Sequence, residues 1–151
     1  MKRIILPALL LLLLLFCSCG KSGDIDMNKL KSDVMQKITF SEPLTEVPPA
    51  TALKLYALSE HEVNKVILLT GSGATTDEFS LWQAKSEQSA AIIEKKIRAR
   101  LDTLIADCKN YNPSEVPKLE RAIVLLNGKY VTLCVTGDLD NATKVISPNF
   151  K

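Results

Sequence analysis

The sequence predicts an α+β domain in which two antiparallel β-hairpins form a four-stranded sheet, packed with one long helix and shorter flanking helices in a ββαββα-like core. The apolar, β-branched run Lys65–Thr70 and the alternating run Glu78–Lys85 are typical of two strands joined by a turn. Asn127-Gly128, between two further apolar runs, is the strongest short signal for a second hairpin. Between the hairpins, Ser86–Lys109 repeats apolar residues every three or four positions, which predicts the long helix.

Three elements are predicted before the first hairpin. Asp24–Ile38 has apolar residues at helical spacing and is predicted to form a helix. This helix could dock on its own domain or lie on a membrane, and its apolar face, which lacks Trp and Phe and has no basic excess, favours docking. Thr39–Pro49 contains three prolines and is predicted to be a loop. A short helix follows over Ala50–Leu58, and Ser59 and Glu62 have the capping-box spacing that indicates one further turn.

The long helix is predicted to bury one apolar stripe and to expose its other faces. Ser86 is the predicted N-cap, and Pro113 and Pro117 in the loop 110–118 require the helix to end before them. The predicted stripe is Ala90, Ile93, Ile97, Leu101, Leu104 and Cys108. The residues predicted to face water are Glu94, Lys95, Arg98, Arg100 and Asp102.

The second hairpin is predicted to join Ala122–Leu126 to Tyr130–Thr136 through a type I′ turn at Asn127-Gly128. A two-residue loop at this place would put Leu126 opposite Lys129. Asp138–Ile146 is predicted to close the chain as a short helix. The helices are expected to stack on one face of the antiparallel sheet.

Cys108 and Cys134 are the two cysteines that remain after the N-terminal segment. If the long helix covers the strand face of Val131 and Leu133, Cys134 points to the other face. The Cα atoms would then lie beyond the roughly 7 Å that a disulfide allows. This favours two free thiols, with a disulfide in a non-cytosolic compartment as the open alternative.

The first twenty residues predict where the protein resides. Lys2 and Arg3 precede the apolar run Ile4–Phe16, which is shorter than the roughly 20 residues of a membrane span, and this pattern indicates a secretory signal peptide. The sequence Ser18-Cys19-Gly20 at the end of the run is similar to the bacterial lipobox. That resemblance implies cleavage before Cys19 and a diacylglyceryl group on its thiol. An ordinary cleaved signal peptide is the alternative.

The predicted organisation has four parts. They are a signal peptide (1–18), a lipidated tether (19–23), an N-terminal helix with a proline-containing loop (24–49), and a globular α+β domain (50–151). Two or more acyl chains on one cysteine provide firm membrane attachment without a second signal. The expected location is therefore the extracytoplasmic face of the cell membrane, where the domain would be held through lipid on Cys19.

The charge balance argues against two classes of partner. The chain has 19 Lys and Arg and 17 Asp and Glu, and without Lys2 and Arg3 the two groups balance. A nucleic-acid-binding protein needs basic clusters that neutralise phosphates, and recruitment to anionic lipid needs a basic excess. The sequence therefore predicts no nucleic-acid partner.

Four segments together carry a resemblance to a known family. They are Leu55-Tyr56-Ala57-Leu58, Thr70-Gly71-Ser72-Gly73-Ala74-Thr75, Trp82-Gln83-Ala84-Lys85 and Tyr111-Asn112-Pro113-Ser114-Glu115-Val116-Pro117-Lys118-Leu119. Over most of 53–146 the chain resembles an uncharacterised family of small bacterial lipoproteins, found chiefly in Gram-positive clostridia and their relatives. Because the family is a domain of unknown function, the resemblance implies a lipoprotein with one compact domain and implies no catalytic residues.

No motif in the chain indicates catalysis, a cofactor or a metal. His61 is the only histidine, and His61-Glu62 lacks the second histidine of a zinc-binding helix. Gly71-Ser72-Gly73 matches neither the nucleophile elbow nor the phosphate loop. Its backbone N–H groups could form an anion nest, although a plain hairpin loop is the simpler interpretation.

Trp82, Tyr111 and Tyr130 are candidates for an aromatic surface that binds a ligand or partner, with ordinary packing as the alternative. Tyr111 is the most favoured of the three because contacts with partners concentrate in loops. The function expected from the sequence is a membrane-anchored binding or interaction module, without catalytic activity, that acts on a cell-envelope partner. The alternative is an extracytoplasmic enzyme or enzyme accessory, which a polar, convergent pocket would favour.

Overall fold

The computed structural model describes residues 23–151. The predicted signal peptide (1–18), Cys19 and most of the predicted tether (19–23) lie outside these residues. The helices of the described part are α1 (Met27–Lys37), α2 (Pro49–Leu55), α3 (Glu87–Tyr111), α4 (Val116–Glu120) and α5 (Leu139–Ile146). Its strands are β1 (Thr45–Glu46), β2 (Val63–Thr70), β3 (Glu78–Ala84), β4 (Ile123–Asn127) and β5 (Tyr130–Val135).

The sheet has five antiparallel strands in the order β1-β2-β3-β5-β4. The predicted α+β class is confirmed, but the predicted count of four strands is wrong. The additional strand is β1, which lies inside the predicted loop 39–49 and pairs Thr45 with Thr70 and Glu46 with Leu69. Two paired residues between prolines are too short a run to show strand periodicity in the sequence.

Helices cover both faces of the sheet, so the expectation that they stack on one face is wrong. Strands β3 and β5 are buried along nearly their whole length, as strands covered on both faces are. On one face, α2, α3 and α4 pack over a core that includes Trp82, Ile93, Ile97, Leu119, Val131 and Leu133. On the other face, α1 and α5 pack over a core that includes Leu30, Val34, Phe79, Leu81, Cys134 and Ile146.

Helix α1 docks on the sheet, as its apolar face predicts. The Asp26 side chain caps its N-terminus by accepting hydrogen bonds from the backbone N–H groups of Asn28 and Lys29, at 3.1 and 3.0 Å. Leu30 and Val34 are buried in the second core. Along residues 23–151 no helix is long and apolar enough to cross a membrane.

The second hairpin forms with a register two residues away from the predicted one. Asn127 pairs with Tyr130 and Leu126 with Val131, so Gly128 and Lys129 form the loop. Gly128 has φ +55°, and among the non-glycine residues described only Ala57 has positive φ. This fits a type II′ turn, with glycine at the first central position, rather than the predicted type I′. Because side chains alternate with a period of two, the shift leaves every residue on its predicted face.

The termini of α3 and the following loop agree in part with the sequence. The Ser86 hydroxyl accepts a 3.0 Å hydrogen bond from the Ser89 N–H, which confirms the predicted N-cap. The helix ends at Tyr111, before Pro113. The predicted loop 110–118 instead contains a 3-10 turn and the start of α4, because prolines are compatible with the first turn of a helix.

Cys108 and Cys134 are free thiols on opposite faces of the sheet, which agrees with the separation expected from strand alternation. Cys108 packs against the core beneath α3. Cys134 belongs to the opposite core, where burial raises its pKa to about 12. The thiol of Cys134 is therefore neutral and acts as a small apolar side chain.

Candidate functional site

A buried ion pair lies beneath α3 at the end of the sheet. Glu78 is the first residue of β3, and its side chain is only 6% exposed. Its carboxylate accepts a hydrogen bond from the Tyr56 hydroxyl and another, of 3.0 Å, from Arg100 Nη2. A carboxylate removed from water is strongly destabilising unless it is paired. Tyr56 and Arg100 therefore provide the two contacts on which the buried charge depends.

The three side chains of this group also influence one another electrostatically. Burial, followed by the charge of Glu78, raises the pKa of Tyr56 well above its usual value, so the hydroxyl stays protonated and donates. Burial opposes the charge of Arg100, but Glu78 outweighs that effect and the pKa of Arg100 is raised. The guanidinium also lies over the Tyr56 ring, with Cζ 5.0 Å from the ring centroid.

Arg100 has hydrogen-bond donors to spare. A guanidinium carries five N–H donors, and in the described part of the chain the hydrogen bond to Glu78 comes from Nη2 alone. Arg100 Nε is buried without a partner among these residues. The contact with Glu78 fixes the position of the guanidinium and leaves part of its donor set unused.

A second charged cluster fixes the segment that leads into β3. Lys118 Nζ lies 2.7 Å from a carboxylate oxygen of Asp77 and 2.7 Å from one of Glu115. Burial opposes the charge of Lys118, but the two carboxylates outweigh it and raise its pKa. Glu115 also accepts 2.8 Å hydrogen bonds from the backbone N–H and the hydroxyl of Thr76. Helix α4 is thereby tied to residues 76 and 77.

The Gly71–Thr75 loop does form an anion nest, and the anion is a carboxylate of the same chain. Glu42 accepts hydrogen bonds from the backbone N–H groups of Ser72 (2.9 Å) and Thr75 (3.2 Å) and from the Thr75 hydroxyl (2.7 Å). These contacts lower the pKa of Glu42 to about 2. A Cβ at Gly71 would lie 2.4 Å from Glu42 Oε1, so glycine allows the close approach.

A cavity of about 380 Å³ lies between α3 and the Gly71–Thr76 loop. Arg100 and Glu78 line its polar part, and Leu55 and Leu104 line its apolar part. Cys108 contributes to the lining one helical turn beyond Leu104. A cavity with apolar walls and a few fixed polar groups is the usual form of a small-molecule site.

The comparisons with known proteins identify a family. A family model described as a domain of unknown function (DUF4358) matches residues 36–136, about two thirds of the chain. The chain belongs to the DUF4358 family. No curated protein and no solved structure matches it. The match confirms the expected membership of an uncharacterised family, and every residue of the Arg100 cavity lies within the matched range of the DUF4358 domain.

The aromatic residues proposed from the sequence do not form one surface in the DUF4358 domain. Trp82 is fully buried in the core beneath α3, and Tyr130 is 5% exposed in the core on the other face. Tyr111, at the end of α3, is 88% exposed. Of the three, only Tyr111 is on the surface.

The remaining sequence candidates lie apart from the cavity of the DUF4358 domain. His61 is exposed in the turn before β2, and Cys19 lies outside the described residues. No group of three or more His, Cys, Asp or Glu side chains within 23–151 is placed to hold a metal ion. The residues that do converge are Tyr56, Glu78 and Arg100, and no motif in the sequence marks them as a site.

Proposed function

We propose that the protein is a bacterial lipoprotein of the kind found chiefly in Gram-positive clostridia, held on the extracytoplasmic face of the cell membrane by lipid on Cys19. The support is the basic start, the short apolar run Ile4–Phe16 and the Ser18-Cys19-Gly20 exit from it. The described residues form the domain that this anchor would present to the cell envelope.

Cys19→Ala tests the anchor. The wild type is expected to carry the mass of a diacylglyceryl cysteine and to sediment with membranes, because two buried acyl chains hold a protein firmly. The variant is expected to lose the lipid mass. Intact-mass spectrometry and membrane fractionation in the native host measure both. Cys134→Ala is the control, because it removes a cysteine outside the predicted lipobox and should leave the lipid mass unchanged. Release of the wild type without lipid would contradict the proposal.

The anchored domain is proposed to be a binding module, and the observation that carries this is Arg100. Arg100 lines a cavity of about 380 Å³, is fixed by Glu78 through Nη2, and carries more N–H donors than this one contact uses. Such a group binds an acceptor oxygen, either a carbonyl or a carboxylate. Leu55 and Leu104 offer apolar surface to the rest of the ligand.

The charges around the cavity narrow the ligand class. Glu42, Asp77, Glu78 and Glu115 lie near the cavity, and of these Glu78 pairs with Arg100 while Asp77 and Glu115 share Lys118. Like charges repel a ligand of net negative charge, so the surroundings favour a neutral or zwitterionic molecule. We therefore expect a small ligand that has an acceptor oxygen for Arg100 and no net negative charge.

The alternative function is an extracytoplasmic enzyme or accessory, and Cys108 is the observation that favours it. A thiol that lines a cavity is a candidate nucleophile, but the thiolate is the reactive form. Burial, followed by the carboxylates of Glu115 and Asp107, raises the pKa of Cys108. The thiol is therefore neutral at pH 7, which supports binding rather than thiolate chemistry.

Leu55→Trp tests the ligand site without disturbing the ion pair. Leu55 is 45% exposed and lines the cavity, so an indole there is expected to block the cavity and leave the fold intact. Saturation-transfer NMR with amino acids and N-acetyl amino acids as probes measures binding to the full chain in detergent. Leu126→Trp is the control, because Leu126 is 39% exposed on β4 and does not line the cavity.

We expect the wild type and Leu126→Trp to bind the probes with similar affinity. The affinity of Leu55→Trp is expected to be at least tenfold lower. If all three proteins bind the probes with equal affinity, the probes bind outside the cavity that Arg100 and Leu55 line. If none of the probes binds the wild type, the proposed ligand class is wrong.

A further inference from the structure

The outer edge of β2 is only partly paired. Strand β1 reaches Leu69 and Thr70, and the Val47 N–H adds a 2.8 Å hydrogen bond to the Leu68 carbonyl. Pro48 follows and has no N–H to continue the ladder, and Pro49 begins α2. The pairing therefore stops at Leu68, although β2 extends back to Val63.

The alternation of backbone groups along β2 shows which N–H and C=O groups have no strand partner within the described residues where the pairing with β1 stops. The Leu68 carbonyl points to β1, whereas the Gly71 N–H donates to the Asp77 carbonyl on the β3 side. Because successive residues of a strand direct their backbone groups to opposite sides, the even-numbered residues of β2 near Leu68 direct theirs to the outer edge. The N–H and C=O of Val66 thus point away from β3. No strand of residues 23–151 pairs with β2 at Val66 on that side.

A groove of about 680 Å³ lies at this open edge, between α2 and β2. Leu53 of α2 and Val63 and Val66 of β2 give it an apolar wall. Lys65 and Lys85 lie at its rim with one acidic residue, Glu60. The groove shares no lining residue with the Arg100 cavity, so the two are separate places on the domain.

We propose that this groove binds an extended, acidic segment of another protein by β-strand addition. An extended backbone supplies a donor and an acceptor in register with the two open groups of Val66. The residue opposite Val66 shares its face of the sheet and would be apolar, because Leu53 packs into the same core on that face. Its neighbour, opposite Lys65, lies on the other face and would be acidic.

The charges at the rim select another protein rather than a second copy of this chain. Antiparallel pairing of two β2 edges around Lys65 would place Lys65 opposite Lys65 of the copy, and like charges at opposed strand positions are destabilising. An acidic segment has the opposite effect at Lys65 and at Lys85. The inference deepens the proposed role as an envelope interaction module, and it does not depend on the Arg100 ligand site or on the lipid.

A peptide titration of the full chain in detergent tests the proposal, with amide chemical shifts as the measurement. The probe is the peptide Thr-Asp-Val-Asp-Val-Asp-Thr, and its partner probe has Lys in place of each Asp. The acidic peptide is expected to shift the amides of Val63–Val66 and to bind at least tenfold more tightly than the basic one. Lys65→Glu is expected to reverse that preference, whereas Lys54→Glu, an exposed position on α2 outside the groove lining, should leave it unchanged.

Three results would overturn the proposal. One is the absence of shifts at Val63–Val66 with either peptide. Another is an equal effect of Lys65→Glu and Lys54→Glu, which would show general charge attraction. The third is a concentration-dependent shift of the same amides without peptide, which would show that a second copy occupies the edge. None of these results bears on the Arg100 site, which the Leu55→Trp experiment tests separately.

Discussion

Arg100→Leu is expected to lower the free energy of unfolding by about 3–5 kcal/mol, the usual cost of removing one partner of a buried ion pair. The cost arises because Glu78, whose side chain is 6% exposed, would remain charged beneath α3 with only the Tyr56 hydroxyl as a partner. A domain stability of about 5–15 kcal/mol makes this a large fraction of the total. Urea unfolding of the full chain, followed by the fluorescence of Trp82, its only tryptophan, measures the change.

A matched control separates the ion pair from the loss of an arginine on α3. Arg98 Nη2 lies 2.6 Å from Glu94 on the same helix, but it is 57% exposed. Arg98→Leu is expected to cost about 0.3–0.5 kcal/mol, as exposed helix pairs do. Adding Glu78→Gln to Arg100→Leu should recover much of the loss, since the uncompensated charge is then gone. Equal costs for Arg98→Leu and Arg100→Leu would contradict the argument.

Arg100 shows why the candidate site could not be found from periodicity alone. The predicted stripe of α3 is confirmed at Ala90, Ile93, Ile97 and Leu101, which are buried, whereas Leu104 and Cys108 are partly buried. Arg100 lies three residues after Ile97 and four before Leu104, which places it at the margin of that stripe. Its charge predicts a water-facing residue, and this prediction is wrong because the side chain is only 23% exposed and pairs with Glu78. The deciding partner, Glu78, is distant in sequence and only the fold brings it near.

The architecture was predictable where local signals are strong. Both hairpins, the long helix and the docked N-terminal helix follow from periodicity and turn residues. The second covered face is not predicted because the alternation of Glu78–Lys85 is typical of a strand with one buried face. Phe79 and Leu81 face one core, and Trp82 faces the other. Large apolar residues on both faces of a strand indicate burial on both faces, and this signal is present in the sequence.

The anion bound by the nest could not be predicted from the sequence. Gly71-Ser72-Gly73 indicates a possible nest, but no residue near it in the sequence indicates which anion it binds. Glu42 reaches the loop because β1 runs beside the end of β2. A two-residue strand decides this placement, and it was not predictable. The carboxylate of Glu42 therefore fills the nest and stabilises the loop, whereas Arg100 lines the adjacent cavity.

Trp82→Ala is expected to be as damaging as Arg100→Leu, at about 3–5 kcal/mol, the usual range for truncation of a core aromatic residue. Trp82 is fully buried, and its Nε1 donates a 2.9 Å hydrogen bond to the Ser80 hydroxyl. Its ring packs edge-on against that of Tyr56, with the two ring centroids 4.8 Å apart. Removing the indole leaves a cavity next to the side chain that positions Glu78. Far-UV circular dichroism during urea unfolding measures the loss, since the variant has no tryptophan.

Tyr111→Ala provides the contrast that tests the aromatic-surface interpretation. Tyr111 is 88% exposed, so its removal is expected to change stability by no more than about 0.5 kcal/mol, as for other surface positions. If Trp82 belonged to a ligand surface, Trp82→Ala would weaken binding while leaving the unfolding curve near that of Tyr111→Ala. Because the ring is enclosed between the sheet and α3, we expect the reverse: the loss appears first in the unfolding curve, and any loss of binding follows from it.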